Sequence, residues 1–179
     1  MEFLDKIKAG IPDYAKDIRL NLDATIARSS LPQREAVGAS LAAAFAARAS
    51  TLVAAIRESG VLTEADMAGA LSAASLMGMN NVWYPYVEMA EDAELKSARA
   101  ELRMNVYASH GGVDKRAFEL WSLAASIIGK CEFCVKSHYA LLRQTGATVQ
   151  ELRDVGRIAA VINAAAQVAA AEAREPIAA

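Results

Sequence analysis

The sequence contains two cysteines, and they stand three positions apart as Cys131 and Cys134. A pair at this spacing favours thiol–disulfide chemistry or half of a metal site over a disulfide framework that holds a small secreted fold together. His138 lies four residues beyond the second cysteine and seven beyond the first, so one helix face carries all three side chains. An imidazole at that position could accept a thiol proton.

Glu119 stands twelve residues before the first cysteine, in a segment that is otherwise largely apolar. A carboxylate is costly to bury in such a segment unless it is paired. His138 would provide a partner, and Glu119 could then orient the imidazole. The two cysteines, His138 and Glu119 therefore form the candidate site.

The dithiol is predicted to lie at the start of a helix. Gly129 and Lys130 interrupt the helix predicted over 115–128, and the next helix opens at Cys131 and runs to about Gln144. Residues three apart inside a regular helix hold their Cβ atoms about 5 to 6 Å apart, whereas a disulfide needs about 3.8 Å. At a helix start the first cysteine can bend into range, and the unpaired amides there favour thiolate over thiol.

The residues alone leave the roles of the two thiols open. The helix start favours Cys131 as the more reactive thiol, whereas proximity to His138 favours Cys134. Two alternatives to redox chemistry are small buried side chains that merely pack, or a zinc site completed by His138 and Glu119. Structural zinc usually draws on cysteine and histidine, so we expect no metal here.

Composition narrows the partners and the compartment. The 179-residue chain has a formal net charge of -2, a pI of about 5.7 and no basic block that could neutralise phosphates. We therefore expect no nucleic-acid or membrane-surface partner. The acidic N-terminal residues do not resemble a secretory signal, and no apolar stretch reaches membrane-spanning length, so we expect a cytoplasmic protein.

Helical periodicity dominates residues 15–173, and no segment alternates like a half-buried strand. The sequence thus predicts an all-α, single-domain helical bundle over 1–179. Capping-box patterns at Thr63 and Thr148 predict helix starts near 64 and 149, and the alanine-rich last helix is predicted to reach Arg174. The other predicted helices cover 2–9, 12–22, 32–47, 50–58, 115–128 and 131–144.

Residues 73–78 (AASLMG) resemble residues 124–129 (AASIIG) at an offset of 51. This match predicts an internal duplication of one helix that ends at a glycine. Only the second copy carries reactive groups, so the chain is predicted to divide into a structural half, about 1–110, and a redox-active half, about 111–179. The offset places Asn80, Trp83, Val87 and Ala68 opposite Cys131, Cys134, His138 and Glu119.

Glu119, eleven intervening residues, Cys131-x-x-Cys134 and then x-x-x-His138 form a pattern that resembles the signature of the AhpD family of alkyl hydroperoxidases, in the carboxymuconolactone decarboxylase-like superfamily. The resemblance covers nearly the whole chain, including residues 12–18 and 77–82. It implies an AhpD-like helical fold, a homotrimer and lipoyl-dependent peroxiredoxin activity. One departure is Phe133, which stands where some members have a histidine.

The resemblance also implies a role for each side chain. Cys134 is the nucleophile that forms a sulfenic acid with a hydroperoxide, and Cys131 is the proton donor and resolving thiol that closes a redox disulfide. His138 and Glu119 relay protons. No cofactor is bound: dihydrolipoyl groups on the acyltransferase of a 2-oxoacid dehydrogenase complex donate electrons, and a mixed disulfide at Cys134 passes them to an AhpC-type peroxiredoxin.

The remaining conspicuous side chains are predicted to be structural. Glu132 and Lys136 would form a solvated ion pair, and His110 would lie in a loop. A cluster on the middle helix is predicted to pack in the core or at a subunit contact rather than to line a substrate groove, namely Met77, Met79, Trp83, Tyr84 and Tyr86. The competing hypothesis is a non-enzymatic helical module, and decarboxylase chemistry is weaker because nothing identifies a lactone acid site.

Overall fold

The structure is a computed structural model that describes residues 1–173. The described chain is all-helical and contains no strand. Short 3-10 turns at Asp13–Ala15 and His110–Gly112 and a π-helical turn at Asp23–Ala27 separate some of the α-helices. The α-helices are α1 (Glu2–Ala9), α2 (Lys16–Leu22), α3 (Gln33–Ala46), α4 (Ser50–Arg57), α5 (Glu64–Ala90), α6 (Ala93–Ser97), α7 (Val106–Ser109), α8 (Lys115–Ile128), α9 (Glu132–Gln144) and α10 (Val149–Glu172).

Both predicted capping boxes are confirmed. Thr63 Oγ1 accepts the amide of Asp66 at 3.1 Å, and the Asp66 carboxylate accepts the Thr63 amide at 3.3 Å. Thr148 and Glu151 repeat this exchange at 3.1 and 2.7 Å. Because each box satisfies two amides that a helix start leaves unpaired, α5 and α10 begin where the sequence predicts. The predicted end of the last helix at Arg174 lies outside the described residues.

The core is built around α8, which packs against α3, α5, α9 and α10. Its largest side chain, Trp121, is fully buried and donates its indole N–H to the carbonyl of Glu35 on α3 at 3.2 Å. Gly38, one turn along α3, lies directly against the indole ring, and a Cβ there would overlap it. A glycine in α3 is therefore what allows the indole to pack against this helix.

Arg34, in the first turn of α3, joins the starts of two other helices. Its guanidinium contacts Asp66 at the start of α5 at 2.6 Å and Asp114, the N-cap of α8, at 2.8 Å. The hydrogen bond from Arg34 lowers the pKa of the buried Asp66 carboxyl. Carboxylates near helix starts also interact favourably with the helix dipoles.

Arg116, in the first turn of α8, makes a second junction of the same kind. It contacts Glu35 on α3 at 2.9 Å and Glu151 on α10 at 2.5 Å. Together the two arginines hold the first turns of α3, α5, α8 and α10 at one end of the bundle. The turn after α8, which carries the cysteines, lies at the opposite end of α8.

One prediction about the repeated segments is wrong. Helix α5 does not end at Gly78 but continues through it, and through Pro85, to Ala90, whereas α8 ends before Gly129 as predicted. Gly78 lacks only a side chain, and the cost of a helical glycine, about 1 kcal/mol, is small compared with the packing that α5 gains on both sides. The helix is ended instead by its C-cap residue Glu91, which takes a left-handed conformation with φ 52°.

The duplication itself, the single domain and the division near residue 110 stay predictions. Helices from both predicted halves pack directly against each other, since α3 and α5 contact α8 and α3 contacts α10. No helix in the described part of the chain is both long and apolar enough to cross a membrane.

A pair of glycine substitutions tests the packing at Trp121. We expect Gly38→Ala to lower the free energy of unfolding by about 1–3 kcal/mol, because the added methyl overlaps the buried indole. Gly156→Ala is the matched control, since a Cβ at this helical position meets no atom within 4 Å. It should raise stability by about 0.5–1 kcal/mol through helix propensity. Urea unfolding followed by circular dichroism measures both, and equal effects would contradict the proposed packing constraint.

Candidate redox site

The turn between α8 and α9 positions the cysteines as the sequence predicts. Lys130 adopts a left-handed conformation with φ 54°, which reverses the chain after α8. Cys131 is then the N-cap of α9, and its Sγ accepts the amide of Cys134 at 3.2 Å. A sulfur thus occupies the place where serine or threonine oxygen usually caps a helix. A backbone amide of the first turn therefore points toward the Cys131 sulfur.

Cys131 and Cys134 form a disulfide in this structure, with their Cα atoms 5.3 Å apart. The N-cap position of the first cysteine brings the two sulfurs together, in agreement with the helix-start argument. Both residues are buried, but unequally: Cys131 is 0% exposed and Cys134 is 3% exposed. Cys134 is therefore the slightly more exposed residue of the two.

His138 and Glu119 form the predicted pair. His138 Nδ1 lies 2.6 Å from Glu119 Oε2, and both side chains are almost completely buried. Helix α9 returns along α8, so residues 19 positions apart in sequence meet across the two helices. The otherwise apolar environment explains the close contact, because each ionisable group would be costly to bury alone.

The second nitrogen of the His138 ring has a partner that the sequence did not predict. His138 Nε2 lies 3.2 Å from Sδ of Met77 on α5, and Met77 is fully buried. Among the described residues, the recorded hydrogen-bond partners of the ring are Glu119 and Met77, and neither cysteine is one of them. Met77 therefore does more than fill the core, because its sulfur also contacts a ring nitrogen of His138.

Tyr107 is a further site residue that the sequence did not identify. Its ring lies 6.2 Å from the His138 ring, nearly parallel to it, and meets Phe118 edge-on at 5.9 Å. Burial raises the pKa of Tyr107 to about 12, and the charge of Glu119 acts in the same direction. The phenol therefore keeps its proton at neutral pH. It belongs to the short helix α7, in a stretch to which no helix was assigned from sequence.

Several buried polar atoms on the site face of α8 have no hydrogen-bond partner within the described residues. They are Glu119 Oε1, Ser122 Oγ and Ser126 Oγ, together with Asn80 Oδ1 on the neighbouring α5. Glu119, Ser122 and Ser126 follow a spacing that puts them on one side of α8. Glu119 Oε1 thus remains available to accept a proton or a hydrogen bond.

Phe133 lies outside the buried part of the site. It is 49% exposed, and its ring stacks on Tyr84 with centroids 4.3 Å apart. An apolar surface therefore lies next to the cysteines. The methionine and aromatic cluster predicted to serve packing is divided: Met77 contacts His138, Tyr84 supports Phe133, and Trp83 packs on Tyr86.

The other side chains named from sequence lie where they were predicted. Glu132 and Lys136 form an exposed ion pair on α9, and His110 lies in the turn that follows α7, beside Phe118.

Within residues 1–173, no three side chains of metal-binding type cluster together. The described residues therefore offer no ready set of ligands for a metal ion.

A double-mutant cycle tests the buried pair. We expect Glu119→Leu and His138→Leu each to lower the free energy of unfolding by about 1–3 kcal/mol, because each leaves the facing polar atom of its partner, Nδ1 or Oε2, buried without a hydrogen bond. The double variant should recover much of this loss, since an apolar pair leaves no unpaired charge. Urea unfolding at one protein concentration measures the coupling.

The exposed pair Glu132 and Lys136, both on α9, provides the control cycle, with each residue replaced by leucine. Solvent screens this pair, so its coupling should be close to zero. A buried pair that couples no more strongly than this surface pair would contradict the interdependence of Glu119 and His138.

Comparisons with known proteins give consistent matches over most of the chain. The model of the carboxymuconolactone decarboxylase family matches residues 93–175. The chain is 43% identical to alkyl hydroperoxide reductase AhpD of Rhodospirillum centenum over 95% of this chain and 92% of that protein. It is 41% identical to the AhpD protein of Maricaulis maris, covering 94% and 98%, and 42% identical to that of Streptomyces avermitilis, covering 95% and 97%. The chain therefore belongs to the AhpD family of alkyl hydroperoxide reductases.

Proposed function

We propose that this protein is an alkyl hydroperoxide reductase that works through a dithiol cycle of Cys131 and Cys134. The observation that carries the proposal is the buried cysteine pair at the start of α9, with the hydrogen-bonded His138 and Glu119 on the helices that flank it. The names of the relatives add support, since each is called an alkyl hydroperoxide reductase. The proposed reaction consumes a hydroperoxide and oxidises the two thiols.

Cys134 is the proposed nucleophile. Its thiolate attacks one oxygen of the hydroperoxide, the O–O bond breaks, and the other oxygen leaves with a proton as an alcohol. Cys134 then carries a sulfenic acid. Two features favour this cysteine over Cys131: it is the more exposed of the two, and it lies one helical turn before His138 on α9.

Cys131 is the proposed proton donor and resolving thiol. Its sulfur attacks Cys134, a disulfide bond forms, and the sulfenic hydroxyl leaves as water with the remaining proton. The N-cap position supports this role, because it holds the Cys131 sulfur within reach of the first turn of α9. His138 and Glu119 are the proposed groups that take up and return protons in both steps.

Dihydrolipoyl groups are the proposed electron donors, and the protein itself binds no cofactor. A dithiol of this kind reopens the Cys131–Cys134 bond through a mixed disulfide and leaves as its own cyclic disulfide. The proposed donor is the lipoylated acyltransferase of a 2-oxoacid dehydrogenase complex, and an AhpC-type peroxiredoxin is the proposed acceptor through Cys134. We place this exchange in the cytoplasm, and the exposed Phe133 beside the cysteines supports an apolar contact with the lipoyl arm.

The proposed assembly is a homotrimer. One face of α5 supports a subunit contact, because it exposes apolar side chains in a helical register, with Val82 69%, Tyr86 50% and Met89 76% exposed. Exposed apolar patches of this kind often mark protein interfaces. The number of subunits rests on the family resemblance.

Mass spectrometry tests the dithiol cycle directly. Trypsin is expected to release Cys131–Lys136 as one peptide that carries both cysteines. After reduction with dihydrolipoamide this peptide should take up two alkyl groups, and after one equivalent of alkyl hydroperoxide it should take up none and lose the mass of two hydrogens. Unchanged alkylation after peroxide would overturn the redox function in favour of cysteines that merely pack.

Two serine variants separate the roles of the cysteines in the same assay. Cys131→Ser should retain a sulfenic acid at Cys134 that dimedone traps, because the resolving thiol is missing. Cys134→Ser should trap no sulfenic acid and should abolish lipoamide-dependent peroxide turnover. Dimedone labelling of Cys131 in the Cys134→Ser protein would reverse the assignment.

The oligomeric state is tested at Val82. We expect sedimentation equilibrium to give a trimer for the unmodified protein and smaller species for Val82→Asp, because a carboxylate would be desolvated at the contact. Leu20→Asp is the control, since Leu20 on α2 is 67% exposed and lies off this face. A monomeric unmodified protein, or equal effects of the two variants, would contradict the proposal.

A further inference from the structure

The contact between His138 and Met77 has a role that neither the cysteine chemistry nor the family pattern assigns. We propose that Met77 is a positioning residue. It holds His138 in the form that carries a proton on Nε2 while the cysteines are oxidised. The evidence is the 3.2 Å distance between His138 Nε2 and Met77 Sδ, in a place where both side chains are buried. The consequence for catalysis rests on the proposed function, whereas the protonation geometry does not.

The chemistry of a thioether decides which nitrogen carries the proton. Methionine sulfur accepts hydrogen bonds weakly and has no proton to donate. A nitrogen that faces it at hydrogen-bond distance is therefore favoured in its N–H form, since two lone pairs would repel each other. His138 Nε2 is thus the donor to Met77, whichever of Nδ1 and Glu119 holds the proton in their 2.6 Å contact.

A proton on Nε2 lets the pair of His138 and Glu119 act as a proton donor in the disulfide form, one helical turn beyond Cys134. When a dithiol donor attacks one sulfur of the Cys131–Cys134 bond, that bond breaks and a mixed disulfide forms with the attacked sulfur. The other sulfur leaves as a thiolate and needs a proton. In our proposal the imidazole supplies this proton when the disulfide opens: Nε2 leaves Met77 and gives its proton to that sulfur, while Nδ1 takes the proton held in its contact with Glu119. Until then, Met77 keeps a proton on Nε2.

The fold holds Met77 where this contact is possible. Helix α5 continues through Gly78, so Met77 lies within a continuous helix rather than at a frayed end. Asn81, one turn later on α5, donates its side-chain amide to the carbonyl of Ala125 at 3.1 Å and so joins α5 to the end of α8. The ring of Tyr107 lies nearly parallel to the imidazole and limits its movement. The thioether therefore has a defined position relative to Nε2.

Selective isotope labelling tests the proposal, because the sequence contains only two histidines, His110 and His138. Protein labelled with ¹⁵N-histidine and kept as the disulfide gives ring signals that a His110→Gln variant assigns. We expect His138 Nε2 in the unmodified protein to show the chemical shift of a protonated nitrogen, with an N–H proton that exchanges slowly with water. An unprotonated Nε2 would overturn the proposal without any substitution at Met77.

Three variants separate positioning from simple packing. Met77→Leu preserves side-chain volume and removes the acceptor, so the slowly exchanging Nε2 proton should be lost. Met77→Gln supplies an amide oxygen as acceptor and should restore it. Met79→Leu is the control, since Met79 lies on the same helix and has no contact with the His138 ring nitrogens. A signal in Met77→Leu that matches the control would overturn the proposal.

Kinetics provide the second measurement. Disulfide reduction by dihydrolipoamide should have a kcat about tenfold lower in Met77→Leu, with KM unchanged, because proton transfer is impaired while binding is not. Met79→Leu should retain the rate of the unmodified protein. If the unmodified protein shows the protonated Nε2 but no reaction with dihydrolipoamide, the proposed function fails while the role of Met77 stands. An unchanged kcat in Met77→Leu, in a protein that does turn over, would overturn its part in the reaction.

Discussion

Glu119 and His138 are almost completely buried, and the free energy of burying each one depends on the hydrogen bond between them. Their contact also dictates local architecture, because one residue lies on α8 and the other on α9. To bring them together, α9 must return along α8, and Lys130 supplies the reversal by adopting a left-handed conformation. That reversal leaves Cys131 at the start of α9, where its sulfur caps the helix and reaches Cys134.

Ion pairs hold the other end of α8, where the helix begins. Arg34 and Arg116 each bridge carboxylates from two different helix starts, and they join the first turns of four helices at one end of the bundle. These contacts are partly buried, so solvent screens them less than ordinary surface pairs. The ion pairs hold α8 at this end, and Trp121 packs it against α3. Glu119 therefore has a defined position in which it can hydrogen-bond with His138.

Helix α5 supplies the third side of the site. A helix that ended at Gly78, as the repeat predicted, would not carry Asn81 to the carbonyl of Ala125 or Tyr84 to the ring of Phe133. The continuous helix does both, and it also holds Met77 against the imidazole. The same helix thus contributes a buried contact to His138 on one face and exposed apolar side chains on another.

The sequence by itself determined the features that depend on neighbouring residues. Capping boxes at Thr63 and Thr148 specify helix starts through hydrogen bonds within four residues, and Gly129 with Lys130 specifies the break before Cys131. The pairing of Glu119 with His138 was also predictable, because an acid in an apolar helix needs a partner and few candidates exist. All of these signals are local or follow from the cost of burying a charge.

Only the tertiary structure decided whether α5 ends at Gly78 and which contacts Met77 and Tyr107 make. The cost of a glycine in a helix is about 1 kcal/mol, so packing against distant helices determines whether the helix continues. Met77 meets His138 across 61 positions of sequence, and a methionine in an apolar helix looks the same whether it packs or accepts a hydrogen bond. Tyr107 lies in a stretch to which no helix was assigned from sequence, and its place beside the imidazole depends on its edge-on contact with Phe118 of α8. The two reactive sulfurs were thus predictable from the sequence, whereas the partner of His138 Nε2 was decided by packing between helices.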